Sequence, residues 1–249
     1  MKLSVTFYDD TPEVLRFDKD DIRSIVLGGV VAHVKMLETY VGTTPEDDEN
    51  LMRVFGEALD EMPIWKAYSV IYDYANDGIF PPDCSVLDDY LRMTISFRME
   101  LVYANEFHDI RIASPKANTN PLYCTMIGTG KALETLLCGF MARWKLDVAG
   151  NGSDDADDVR FWGHMFERID CDLLSLSEIA ILADIQERSV RNYTHSTRAE
   201  DERLKTVKVG GRTYVRPEDA KEWLIRRRRF IPTRFPEGDV QAKSVEDVQ

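Results

Sequence analysis

The chain has 249 residues, 44% of them hydrophobic and 30% charged, and a formal net charge of -13. That length can support one large core or two smaller ones, and two are expected. An N-terminus reading MKLSVTFYDD carries charge too early for a secretion signal, and the most apolar run, Ile25–Val34, is too short to cross a bilayer and contains Gly28 and Gly29. Cys84, Cys124, Cys138 and Cys171 fall at wide spacings with no C-x-x-C, so they read as reduced thiols, not a disulfide or metal framework. A soluble cytoplasmic protein without cofactor or metal is expected. The sequons at Asn151 and Asn192 carry no meaning in that setting.

In chain order, residues 2–8 alternate as a short strand. From Asp20 to Tyr40 apolar residues recur at helical spacing (Ile22, Ile25, Val26, Val30, Val34, Leu37, Tyr40), with Gly28–Gly29 either weakening the helix or admitting a close neighbour. Thr44-Pro45-Glu46-Asp47 starts a second helix that buries Leu51, Val54, Phe55 and Leu59 and stops at Pro63. Ile64–Tyr74 is a helix dense in aromatics; with Lys66 as its only basic residue, Trp65, Tyr68, Tyr72 and Tyr74 read as a core stripe, not a base-stacking platform. After a loop at Asn76-Asp77-Gly78 and Pro81-Pro82, Ser85 caps a helix to about Tyr103 with Leu87, Tyr90, Leu91, Ile95, Phe97 and Leu101 available for burial.

Residues 105–121 read as an extended loop. The following YCTMIGTGKALETLL suggests a phosphate loop at Gly128, Gly130 and Lys131, but Thr125 stands where the first glycine belongs and Ala132 where Ser or Thr belongs. It reads instead as the start of a helix, Gly130–Trp144, with Leu133, Leu136, Leu137, Phe140, Met141 and Trp144 on its apolar face. The acidic, glycine-rich stretch 147–158 lacks the register of a calcium loop and reads as a linker, followed by a connecting helix through Phe161–Ile169. His33, His108, His164 and His195 are scattered, and no catalytic constellation emerges, so no enzyme is expected.

Leu174–Arg229 is where three patterns follow one another. Ser175 and Glu178 have the spacing of a capping box before Leu176, Ile179, Ala180 and Leu182. After Ala183–Asp184 a second short helix, about Glu187–Tyr193, buries Ile185, Val190 and Tyr193 and turns Glu187, Arg188, Arg191 and Asn192 outward. Next, Leu204–Val209 and Arg212–Val215 alternate as strands around Gly210–Gly211, a two-residue hairpin turn. A closing helix starts at Pro217, buries Ala220, Trp223 and Leu224, and ends in Arg226–Arg229. Between Gln186 and Phe235 there are 14 Lys and Arg against 7 Asp and Glu, a local +7 that leaves -20 on the remainder. A basic patch on an acidic body suits phosphate binding by the patch while weakening non-specific contacts of the whole.

LSLSEIAILADIQERSVRNY followed by KTVKVGGRTYVRPEDAKEWL resembles the winged helix-turn-helix of the excisionase and MerR type over about 55 residues. The resemblance implies that the helix around Arg188–Tyr193 enters the major groove and that the wing around Gly210–Arg212 lies on the DNA backbone. Asp184 stands where that family's turn usually has Gly, and Gln186 where Ser or Thr commonly caps the recognition helix. The expected fold is therefore mainly α: an acidic helical domain over 1–146, a linker and connecting helix over 147–172, a winged helix-turn-helix over 173–232 and a flexible tail over 233–249. Double-stranded DNA is the expected partner, bound by a homodimer in transcription regulation or an excisionase-like role. The expected DNA-binding residues are Gln186, Glu187, Arg188, Ser189, Arg191 and Asn192 on the recognition helix and its cap, of which Arg188, Arg191 and Asn192 read bases, with Lys205, Lys208 and Arg212 holding the backbone and Arg226, Arg227, Arg228 and Arg229 adding phosphate contacts. The alternative is a protein-interaction adaptor using the winged module and the acidic body, with the N-terminal domain as a further docking site.

Overall fold

A computed structural model of the protein describes residues 17–42, 47–81, 83–107, 112–113, 123–124, 126–147 and 173–235. These are mainly helical, with a small three-stranded antiparallel sheet. The first part contains α1 (Lys19–Val41), α2 (Asp48–Ala58), α3 (Pro63–Asp77), α4 (Leu87–Phe107) and α5 (Met126–Asp147), with β1 (Ile112–Ala113) paired antiparallel to β2 (Tyr123–Cys124). The second contains β3 (Leu174–Ser175), α6 (Leu176–Ala183), α7 (Glu187–Tyr193), β4 (Val207–Val209), β5 (Arg212–Val215) and α8 (Pro217–Ile225). None of the described helices is long and apolar enough to cross a membrane.

The first core is built around α3. Pro63 occupies its first turn, where a missing N–H costs nothing, and its inward face is wholly buried at Tyr68, Ile71 and Tyr74. Leu133, Leu137 and Phe140 of α5, Leu91 and Ile95 of α4, and Ile22 and Val26 of α1 pack around it. The Tyr74 ring meets Phe140 edge-on at 5.2 Å, and Phe80 stacks on Trp144 at 6.2 Å, so the aromatic stripe is core. Each buried phenol has an acceptor: Tyr68 donates to Thr94 O at 2.9 Å, Tyr72 to Phe17 O at 3.1 Å and Tyr74 to Asp147 Oδ2 at 2.9 Å. Burial pushes the Tyr68 phenol far above its ordinary titration range, against a smaller downward pull from Arg98.

Helix α1 runs unbroken through Gly28–Gly29, and the reason is contact. A Cβ on Gly29 would lie 2.6 Å from Phe97 Cζ and 2.9 Å from Leu101 Cδ2, so the missing side chain lets α4 approach. His33, one turn on, stacks on Phe97 at 5.1 Å.

The second core comprises Leu174, Leu176, Ile179, Leu182, Val190, Leu204, Val215, Trp223 and Leu224, together with Ala142 and Leu146 from the last turns of α5. The expected boundary at residue 146 thus falls inside a helix that serves both cores. A second tie comes from the wholly buried Arg143, whose guanidinium donates to Ala75 O at 3.2 Å, Ile231 O at 2.8 Å and Thr233 Oγ1 at 3.1 Å. Thr233 Oγ1 in turn donates to Asp147 Oδ2 at 2.6 Å. Beyond them, Arg234 N donates to Gly78 O at 2.7 Å and Phe80 N to Arg234 O at 3.1 Å, and the Phe80 and Phe235 rings meet at 4.9 Å. Residues 231–235 are therefore a strap against the end of α3, not the start of the expected tail.

Other expectations are corrected in detail. Leu37, Tyr40 and Val54 are exposed, because the faces that pack carry Ile22, Val26, Leu27 and Val31 on α1 and Leu51 on α2. Helix α4 follows a 3-10 turn at Cys84–Val86, and Asp83, not Ser85, supplies the capping carboxylate: it accepts from Ser85 N at 2.9 Å and Ser85 Oγ at 2.6 Å. These bonds, the hydroxyl's foremost, hold the Asp83 carboxyl below its usual range. Helix α4 continues to Phe107, into the stretch expected as loop. Helix α5 begins at Met126, so Gly128 and Gly130 lie within helix and not in a phosphate loop. The strand expected over 204–209 shortens to Val207–Val209, with Leu204 buried as an anchor. The expected strand at 2–8, the cap at Thr44–Glu46, the linker from 148 on and the connecting helix at 161–169 lie outside the described residues, as do Cys171, His108 and His164.

Candidate nucleic-acid interface

The surface is set from its first residue by a buried electrostatic clamp. Ser175 ends β3 and caps α6: Glu178 N donates to Ser175 Oγ at 3.2 Å, and Ser175 N donates to Glu178 Oε2 at 2.7 Å, the reciprocal capping box. The other Glu178 oxygen faces Lys145 Nζ of α5 at 3.0 Å, with the two side chains 1% and 6% exposed. Lys145 also donates to Leu173 O at 3.2 Å. The start of α6 is thereby fixed to α5.

Helix α6 stops where Asp184 enters the left-handed region, φ 52 and ψ 50, and its N–H returns to the Ala180 and Ile181 carbonyls. Asp is among the few side chains that tolerate this conformation. After Ile185 and Gln186 the chain re-enters helix at Glu187; Gln186 makes no side-chain cap bond, so the start of α7 is held instead by packing of the wholly buried Val190. Glu187 and Arg191 pair at 2.6 Å on the outer side, where Arg188 and Asn192 are exposed. Neither Arg188 nor Asn192 has a side-chain hydrogen bond or ion pair among the described residues.

The sheet carries the hairpin into place. β5 lies between β3 and β4, pairing Leu174 with Val215 on one side and Val209 with Arg212 on the other. Gly210 and Gly211, at φ 56 and 79, supply the two positive φ values a tight hairpin turn requires. Lys208 and Arg212 flank the turn, exposed and unpaired among the described residues. Lys205 precedes β4 and sits 3.7 Å from Asp219 of α8.

The four arginines after α8 divide by role. α8 ends at Ile225 with Arg226 as its C-cap, so the run lies beyond the helix and not in its last turn. Arg226 is tied to the Glu222 carboxylate and the Asp201 carbonyl. Arg227 stacks on Trp223 at 4.0 Å and Tyr193 at 4.2 Å, joining α8 to α7; it is a packing residue and not an exposed phosphate contact. Arg229 Nη1 donates to Asp184 O at 3.2 Å and Oδ2 at 3.3 Å, steadying the left-handed turn. Arg228 alone of the four is exposed with no partner among the described residues.

Sequence reading thus places Gln186, Glu187, Arg188, Ser189, Arg191 and Asn192 on one short helix and its cap, and Lys208 and Arg212 on one hairpin. It misses Lys145 and Arg143, whose visible signal is a cation on each side of Trp144 in an otherwise apolar helical run. Among the described residues no group of three or more His, Cys, Asp or Glu side chains could hold a metal ion. Comparison of the chain with protein-family models, with curated proteins and with solved structures found no match.

Proposed function

We propose that Leu174–Arg229 forms a winged helix-turn-helix and that the protein binds double-stranded DNA through it with sequence preference, as a transcriptional regulator or excisionase-like factor. One observation carries the reading. A seven-residue helix held by a buried valine turns Arg188 and Asn192 outward, without partners among the described residues, beside a two-glycine hairpin whose flanking cations, Lys208 and Arg212, likewise have none there. Side chains not engaged within the protein are available to bases and phosphates without first breaking a bond.

In this reading Arg188 donates to guanine, Asn192 engages adenine in the major groove, and Gln186 and Ser189 border the contact. Lys208, Arg212 and Arg228 hold phosphates. Lys205, Arg226 and Arg229 begin paired to acidic side chains and reach phosphates only by exchanging partners. One such module covers few base pairs, so specific binding takes a homodimer, with the helical part as its natural seat. The protein is a binder and not an enzyme, and no cofactor is invoked.

Selection from a random duplex library by the full chain tests this. An enriched motif is expected, relaxed at one position by Arg188→Ala, while Lys208→Ala weakens all duplexes alike. Identical profiles for wild type and Arg188→Ala would refute the base-reading role. The -20 charge outside the basic segment favours a second reading, docking of a basic protein; absence of both a motif and salt-sensitive duplex binding would point there.

A further inference from the structure

Glu187 places a carboxylate on the surface proposed above to meet DNA. It stands one turn before Arg191 on the outer side of α7, and Arg191 Nη2 donates to its Oε1 at 2.6 Å, with the two side chains 43% and 64% exposed. An exposed pair at this spacing contributes little to helix stability. What matters is what a carboxylate can meet there. Phosphate oxygens offer it no donor, nor do the major-groove edges of guanine and thymine, which present acceptors and a methyl group. Adenine offers an amino group but sets the N7 acceptor beside it; cytosine offers its amino group alone. The acceptor-only chemistry of Glu187 therefore favours one base edge over all other surfaces of the duplex.

We propose, resting on the DNA-binding reading above, that Glu187 and Arg191 act as one reading unit for a cytosine and a guanine at the same step. Glu187 accepts from cytosine N4, and Arg191 donates to guanine O6 and N7. A guanidinium has five N–H donors, so the bond to Glu187 leaves enough for a bidentate contact, and that bond limits the directions Arg191 can take. At any site lacking the amino donor, the carboxylate faces acceptors or phosphate and is repelled. Glu187 lowers affinity for most duplexes and raises discrimination among them.

The test is the same random-duplex selection carried out with wild type, Glu187→Gln and Arg191→Ala full-length protein, with thermal midpoints checked for each variant. Glu187→Gln keeps the rest of the motif but loses the cytosine preference by at least about fivefold, and moves toward adenine, whose N6 and N7 a glutamine amide matches. Binding to a duplex without the motif strengthens, since one negative charge is gone. Arg191→Ala loses the guanine and the cytosine together. A Glu187→Gln profile identical to wild type, or a wild-type motif without the cytosine, overturns the proposal while leaving DNA binding intact. A wild type that enriches no motif overturns both.

Discussion

Lys145→Met, which removes the ammonium but keeps most of the side-chain volume, is expected to be among the most destabilising single changes in the chain. Glu178 Oε2 accepts from Ser175 N at 2.7 Å and Ser175 Oγ at 2.9 Å, while Oε1 looks at Lys145 Nζ, 3.0 Å away. With both side chains nearly inaccessible, the substitution strands a half-satisfied carboxylate away from water, which costs about 3 to 5 kcal/mol. At a urea slope of about 3 kcal/mol per molar, a loss of about 4 kcal/mol moves the unfolding midpoint down by about 1.3 M at unchanged slope. Glu178→Gln strands the ammonium instead, although glutamine still serves the capping box. The double variant removes both charges, so its cost falls short of the two single costs added together by about 2 to 3 kcal/mol. A Lys145→Met cost below about 1 kcal/mol, or additive single costs, would refute the claim that this pair fixes α6 to α5.

Three further outcomes follow from particular contacts. Gly29→Ala places a methyl group 2.6 Å from Phe97 Cζ and is expected to lower stability by about 1 to 3 kcal/mol by urea unfolding, with Phe97→Leu recovering part of the loss in the double variant. Arg143→Met removes the donors to Ile231 O and Thr233, and is expected to raise amide exchange at Arg234 and Phe80 more than within α3; equal protection of these amides in wild type and variant would show that the strap does not depend on the arginine. Tyr68 has a folded-state pKa raised by burial, so its contribution is complete below the unfolded tyrosine value of about 10 and is lost as pH rises beyond it. Tyr68→Phe, which loses the bond to Thr94 O, is accordingly less stable than wild type by about 1 kcal/mol at neutral pH, and the gap narrows in urea titrations above about pH 10.

Much of this architecture is legible from short-range patterns because its causes are short-range. The spacing of Ser175 and Glu178, the pair Gly210–Gly211, Pro217 before an acidic first turn, and the apolar face of α5 each fix local geometry through sterics or a bond within a few residues. What escapes is set by distant partners. Nothing local distinguishes Arg227, which stacks on Tyr193, from Arg228, which is exposed, and the division of the arginine run follows only from where α7 lies. The strap at 231–235 is short, proline-containing and without helical or strand periodicity, like a tail; it is held by Arg143, 88 residues before Ile231. Exposure of Leu37 and Tyr40 shows the same limit, since helical periodicity gives a face but not the length over which a neighbour covers it.

The most direct test of DNA binding through this surface is the salt dependence of duplex affinity, measured by fluorescence anisotropy for wild type, Lys208→Ala and Arg212→Ala. With Lys208, Arg212 and Arg228 on phosphates and Lys205, Arg226 and Arg229 joining them as they exchange partners, the logarithm of affinity is expected to fall against the logarithm of salt with a slope of about -3 to -5, and each wing substitution to reduce that slope by about 0.9. Absence of duplex binding at low salt, or a slope that neither substitution changes, would contradict the account.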